Sequence, residues 1–228
     1  MRDDYFNPLQ GTVAQVIKFA GVGLHSGKTL SLEIHPLGPN QGIHFLRTDV
    51  TNAPKIHAHP DNIISTVLCT TLGFRNVSIA TVEHVLSACA GTGVDNALIL
   101  VNGSEVPILD GSAAPFVDKI NEVGVQLQQV QRKIISVDKV IEVHLKDQFI
   151  RLKPFDKNDY QFNQSKNKLL ITCSIDFPRS QAIGKQTLTI DYSPSAYMNL
   201  CEARTFCHIE DVRAMRTMNL ALGGSLDN

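Results

Sequence analysis

The sequence predicts an α+β fold in two domains. Three observations carry this expectation. Segments with strand patterning precede segments with helical patterning, and that order occurs twice along the chain. The chain has 228 residues, enough for one large domain or two small ones. A glutamine-rich stretch, Gly124 to Arg132, has no strong apolar pattern and reads as a linker, which sets the expected domains at residues 1–124 and 132–228.

In the first run, Thr12 to Ala20 reads as a strand and leads into the glycine-bracketed turn Gly21 to Lys28. Leu30 to His35 alternates apolar and polar residues, the period of a half-buried strand. Ile43 to Leu46 and Val67 to Leu72 read as further strands. Val82, Val85, Leu86, Cys89 and Ala90 recur at helical spacing, with Thr81 as the expected N-cap and Gly91 as the stop. Asn96 to Val101 reads as a short buried strand. Ser112 to Val123 reads as a second helix with Ser112 at its cap. The second run places strands at 133–137, 139–145, 148–154, 169–177 and 186–192 and helices near 195–202 and 208–217.

Composition narrows the function. With 43% hydrophobic and 19% charged residues the chain can bury a sizeable core. A formal net charge of −1 gives no field for a polyanion, so nucleic acid is not an expected partner. Five cysteines without a CxxC pattern do not form a disulfide framework. The first ten residues lack the apolar core of a signal peptide. No apolar run approaches the ~20 residues of a membrane-spanning helix. A cytoplasmic protein with reduced thiols, acting as a monomer, is expected.

The residue pair Glu83-His84, at the mouth of a predicted helix, is the strongest chemical signal. A neutral imidazole can ligate a metal, and an adjacent carboxylate can take a proton from a water held there. Taken alone, the same pair is more often a solvated charge beside an ordinary histidine. Gly21 to Lys28 superficially suggests a phosphate loop, but its glycines are out of register and it joins two strands, which favours a hairpin. His57-Ala58-His59 would set two imidazoles on one strand face without an evident third ligand. A serine or cysteine hydrolase has no support, since no G-x-S-x-G motif occurs.

Several segments taken together resemble one family, the zinc-dependent UDP-3-O-acyl-N-acetylglucosamine deacetylases of lipid A biosynthesis. They are GVGLHSGK (Gly21 to Lys28), LCTTL (Leu68 to Leu72), ATVEH (Ala80 to His84), EVPILDGSAAPF (Glu105 to Phe116), ARTF (Ala203 to Phe206) and LALGGSLDN (Leu220 to Asn228). The resemblance implies two similar domains, each a sheet layer with helices, packed helix to helix as a β-α-α-β sandwich. It implies hydrolysis of the N-acetyl group of an acylated UDP-sugar with Zn2+ as cofactor. By motif, Glu83 resembles the general base, His84 a zinc ligand, Thr205 the hydroxyl that steadies the oxyanion, and Asp110 a supporting carboxylate. Leu24, Phe206, Val212 and Met215 resemble the wall of an acyl-chain passage whose insert lies near residues 204–228. Cys69 resembles a cysteine beside the metal pocket, and Phe177 an aromatic contact to uracil.

The same resemblance implies further zinc ligands in a His-Lys-x-x-Asp helix past the Gly-Gly-Ser turn, and no histidine follows His208. A catalytic zinc takes three protein ligands. On that expectation the second domain is incomplete and the 228 residues alone are inactive. The alternative is then a metal-free fragment that only binds the acylated UDP-sugar or a partner chain.

Overall fold

A computed structural model describes residues 7–155 and 169–228. The described chain is mixed α+β and divides into two compact units. One unit joins Asn7–Gln131 to Met198–Asn228, and the other is Arg132–Tyr197. The division differs from the expected 1–124 and 132–228, because Val125–Gln131 and Met198–Asn228 both pack with the first run of elements.

The larger unit is built on a five-stranded sheet. It contains β2 (Ile17–Val22), β3 (Thr29–Pro36), β4 (Ile43–Arg47), β5 (Ile56–His57) and β9 (Ala97–Val101), in the order β2-β3-β9-β4-β5. Neighbours are antiparallel except β4 and β9, which run parallel. Leu30, Leu32 and Ile34 of β3 and Ala97, Ile99 and Val101 of β9 are buried, as their alternation requires. Helices α1 (Glu83–Thr92) and α2 (Ala114–Val123) pack on each other. The Phe116 ring of α2 lies 4.8 Å from that of Phe19, which pairs with Leu32 across β2 and β3, so α2 covers that face of the sheet. A separate three-stranded sheet, β6 (Ile63–Ser65), β7 (Thr71–Phe74) and β8 (Val77–Ile79), precedes α1.

Several expectations are corrected. The strand expected over Thr12 to Ala20 is two strands, β1 (Leu9–Val13) and β2, parted at Ala14, whose N–H donates to Gly124. The expected linker is a strand, β10 (Val125–Gln131), antiparallel to β1. Its glutamines serve the fold: the Gln128 amide donates to Leu37 O at 2.7 Å, and its oxygen accepts from Asn96 at 2.7 Å. Val67 to Thr70 is loop rather than strand. Leu68 has φ 64°, outside any strand, and Thr70 N–H is spent on the Glu83 carboxylate at 3.1 Å. Thr81 is not a helix cap. Its φ is 58° and its hydroxyl donates to Glu105. Helix α1 runs past Gly91 and ends at Gly93, whose φ of 84° suits a left-handed stop. The Ser112 hydroxyl does accept from Ala114 N–H, 3.1 Å away, at the start of α2.

In the smaller unit, residues 133–137 are not a strand, and Ile134 and Ile135 there are exposed. Two antiparallel ribbons follow: β11 (Ile141–Leu145) with β12 (Gln148–Leu152), and β13 (Leu170–Phe177) with β14 (Gly184–Asp191). Helix α3 (Pro194–Leu200) comes next, and α4 (Ile209–Thr217) belongs to the larger unit.

Candidate active site

The site forms where α1 begins. Glu83 is its first residue and His84 its second, both half-buried. A carboxylate in the first helical turn is favoured by the helix dipole. The Glu83 carboxylate also accepts from the Thr70 backbone N–H, which fixes one of its oxygens over the loop that carries Cys69. The Cys69 sulfur lies 3.8 Å from the Thr71 hydroxyl. Burial holds the pKa of His84 below the ordinary histidine value, against the opposing pull of Glu83, Asp110 and a hydrogen bond to the Ser112 backbone. The imidazole is therefore neutral at neutral pH, with a nitrogen lone pair to offer.

The Asp110–Ser112 turn ties the other candidates to this corner. Asp110 Oδ1 accepts from both the Ser112 N–H at 2.9 Å and the Ser112 hydroxyl at 2.8 Å. Gly111, with φ 83°, lets the turn close. Its carbonyl accepts from Thr205 N–H at 2.9 Å, and Cys201 O accepts from Ala113 N–H at 3.0 Å. One short turn thus joins Asp110 and the Thr205 backbone to the His84 corner, with Glu83 beside His84 at the start of α1, although these residues span more than a hundred positions of sequence.

The segment that closes the chain docks on the Gly23–Lys28 turn. Gly223 N–H donates to Leu24 O at 3.0 Å, and Leu222 N–H to His25 O at 3.3 Å. Of the expected passage residues, Leu24, Val212 and Met215 are half-buried and Phe206 is 52% exposed. Helix α4 buries no residue fully, and Val212 and Met215 are its half-covered apolar positions. Phe177 ends β13 in the smaller unit and pairs with Gly184.

Sequence reasoning missed three participants. Thr70 holds Glu83 by its backbone, which no residue type announces. Glu105 is a buried carboxylate inside a quoted motif. The His25 ring nitrogens are both buried without a hydrogen-bond partner among the described residues. The Gly-His-Ser context of the turn was the available signal for the last.

The whole arrangement lies within one matching stretch. The family model described as UDP-3-O-acyl N-acetylglycosamine deacetylase matches residues 10–228. The chain belongs to that family. Among its curated relatives, the UDP-3-O-acyl-N-acetylglucosamine deacetylase of Methylococcus capsulatus is 40% identical over 220 residues, covering 96% of this chain and 69% of the relative. The deacetylase of Shewanella halifaxensis is 40% identical over 222 residues, with the same coverage of 96% and 69%. That of Campylobacter jejuni is 38% identical over 220 residues, 96% of this chain and 70% of the relative. In this member of the family no described helix is long and apolar enough to cross a membrane.

Proposed function

We infer that the chain acts on UDP-3-O-acyl-N-acetylglucosamine, removing the N-acetyl group by hydrolysis, the committed step of lipid A biosynthesis. Family membership supports the reaction. The observation that carries the site is the Asp110–Ser112 turn, which meets His84 and holds the Thr205 backbone, next to a Glu83 fixed by Thr70 at the start of α1.

Zinc is the cofactor the family resemblance implies. His84 has the required chemistry for one ligand, a neutral imidazole, and we propose it in that role. Among the described residues, no group of three His, Cys, Asp or Glu side chains is placed to hold a metal ion. A catalytic zinc takes three. The described residues therefore do not make a complete zinc site.

Glu83 accepts a proton from the water that attacks the acetyl carbonyl. The carbonyl carbon becomes tetrahedral and its oxygen takes the negative charge. The Thr205 hydroxyl donates to that oxygen, a contribution that counts only as charge develops. Collapse breaks the C–N bond, the leaving amine takes the proton that Glu83 removed from the water, and acetate leaves. Asp110 orients the Ser112 turn on which the His84 ring rests. Leu24, Phe206, Val212 and Met215 line the path of the acyl chain, whose apolar carbons favour these side chains over water. Cys69 precedes Thr70, whose backbone holds the Glu83 carboxylate, and is proposed to flank the metal pocket; Phe177 is proposed as an aromatic contact to the uracil.

The test is acetate release from UDP-3-O-acyl-N-acetylglucosamine in the presence of zinc. Glu83→Ala should lower kcat by about 10²–10⁴. Near-normal turnover in that variant would remove Glu83 from the base role. One observation favours a second reading, binding of the acylated UDP-sugar without turnover: the described residues lack a three-ligand set. No acetate release by the unaltered chain, with saturable binding of the substrate, would select it. Metal analysis after dialysis sharpens the choice. Less than one zinc per chain is expected, and one tightly held zinc would point to ligands outside this corner, such as His57 and His59.

A further inference from the structure

Glu105 is 3% exposed, and burying a carboxylate is unfavourable unless donors replace its water. Three donors converge on it, none of them a cation. The backbone N–H of His25 donates to Oε1 at 2.8 Å, that of Ser26 to Oε2 at 3.0 Å, and the Thr81 hydroxyl to Oε1 at 3.2 Å. Its backbone is stitched to the same places. Ala80 N–H donates to Ser104 O at 2.9 Å and Val106 N–H to Ala80 O at 3.0 Å, and a bridge joins Pro107 to Gly23. Gly23 has to be glycine here, because a Cβ would run into the Glu105 carboxylate and the Ser26 hydroxyl.

Thr81 is the strained member of this set. It is 1% exposed and has φ 58°, a left-handed conformation that a β-branched residue adopts only when its surroundings impose it. The reversal it makes turns the chain from Ala80 into α1 within two residues, so that Glu83 falls in the first helical turn opposite Thr70 N–H. An ordinary backbone at Thr81 would start the helix in another direction.

The structure assigns Glu105 the role of a positioning residue that holds Thr81 left-handed, and so aims Glu83 and His84, while seating the turn that carries Leu24. The carboxylate acts on Glu83 and His84 through Thr81. The proposal rests on the deacetylase reading for the reaction it serves. The geometry it predicts is measurable without substrate, so absence of turnover in the unaltered chain would sink that reading and leave this measurement intact.

The test is residue-resolved amide hydrogen exchange on the full chain. Glu105→Gln keeps the shape but turns an amide NH2 toward donors, and exchange at His25 and Ser26 should rise about tenfold or more. Thr70 should rise with them, although it does not touch Glu105. Adding Thr81→Gly, which takes the left-handed backbone without strain, should return Thr70 to its original rate while His25 and Ser26 stay fast. An unmoved Thr70 in Glu105→Gln, or no rescue by the glycine, overturns the proposal. If Glu105→Gln also loses protection in β3 and β9, Thr81→Val, which keeps the branched side chain and deletes the hydroxyl that Glu105 holds, decides. Faster Thr70 exchange in it supports the role, and unchanged exchange overturns it.

Discussion

In β3, Leu30, Leu32 and Ile34 alternate with polar residues and are at most 4% exposed. In β11, Ile141, Val143 and Leu145 alternate in the same way and are 46%, 59% and 69% exposed. Opposite them on β12, Leu152 and Ile150 share their face and are exposed too. The pattern is identical; the second layer is not. Strand β3 lies inside a five-stranded sheet with α2 on its apolar face, whereas β11 has one hydrogen-bonded neighbour among the described residues. Alternation chooses which face is apolar, but only a covering element removes that face from water. Among the described residues of Arg132–Tyr197, Tyr197 is the one buried apolar side chain.

The largest difference should appear on truncating one apolar side chain in each region. Phe116 is fully buried against Phe19, so Phe116→Ala should cost about 3–5 kcal/mol of stability. Ile150 is 67% exposed, and Ile150→Ala should stay within about 0.5 kcal/mol. Denaturant titration of both variants measures this. A similar loss in each would mean that the β11–β12 face is covered in solution, and the comparison would break.

A smaller effect separates the two regions kinetically. Amides of Ile34 and Ile99 should exchange at least about a hundredfold more slowly than those of Val143 and Ile150, because a two-stranded ribbon opens locally. Limited proteolysis should accordingly cut first between residues 132 and 155, leaving Asn7–Gln131 intact in the early digest. Equal protection across both regions would show that the ribbons are held as firmly as the sheet.

Much of the fold was legible where one period dominated. The hairpin at Gly21 to Lys28, β4, β9, β13 and α4 all sit within about two residues of their expected bounds, the usual uncertainty of an element end. Long-range polar contacts hid the rest. Gln128 reads as linker until Asn96 and Leu37 are seen to need its amide. Thr81 reads as a cap by residue type, yet its hydroxyl is committed to Glu105, 24 residues on. Short strands such as β5 and β8 carry too few residues to show any period. At the site, residue type pointed to Glu83 and His84, but the backbone of Thr70 and the carbonyl of Gly111 were invisible, because any side chain permits them.

The smallest effect concerns acid, and it too falls on the five-stranded sheet. His44 on β4 and His57 on β5 stack with ring centroids 4.7 Å apart, and His59 stacks on His57 at 5.6 Å. The three rings pack face to face as a column. His44 Nε2 lies 2.9 Å from Gln41 O, and His59 Nδ1 is 3.4 Å from the exposed Asp61 carboxylate. Burial first, then the two flanking imidazoles, hold the pKa of His57 below its ordinary 6.5. The native state therefore binds fewer protons than the unfolded chain once the pH drops under that value. Above it both states are neutral at this position and His57 contributes no slope. Below it stability should fall with falling pH, until the native histidine also titrates. Replacing the ring removes the effect: His57→Gln should flatten the unfolding free energy between pH 7 and about pH 5 relative to the unaltered protein. Denaturant titrations at several pH values measure the two slopes, and parallel curves for both proteins would clear His57 of any part in acid sensitivity.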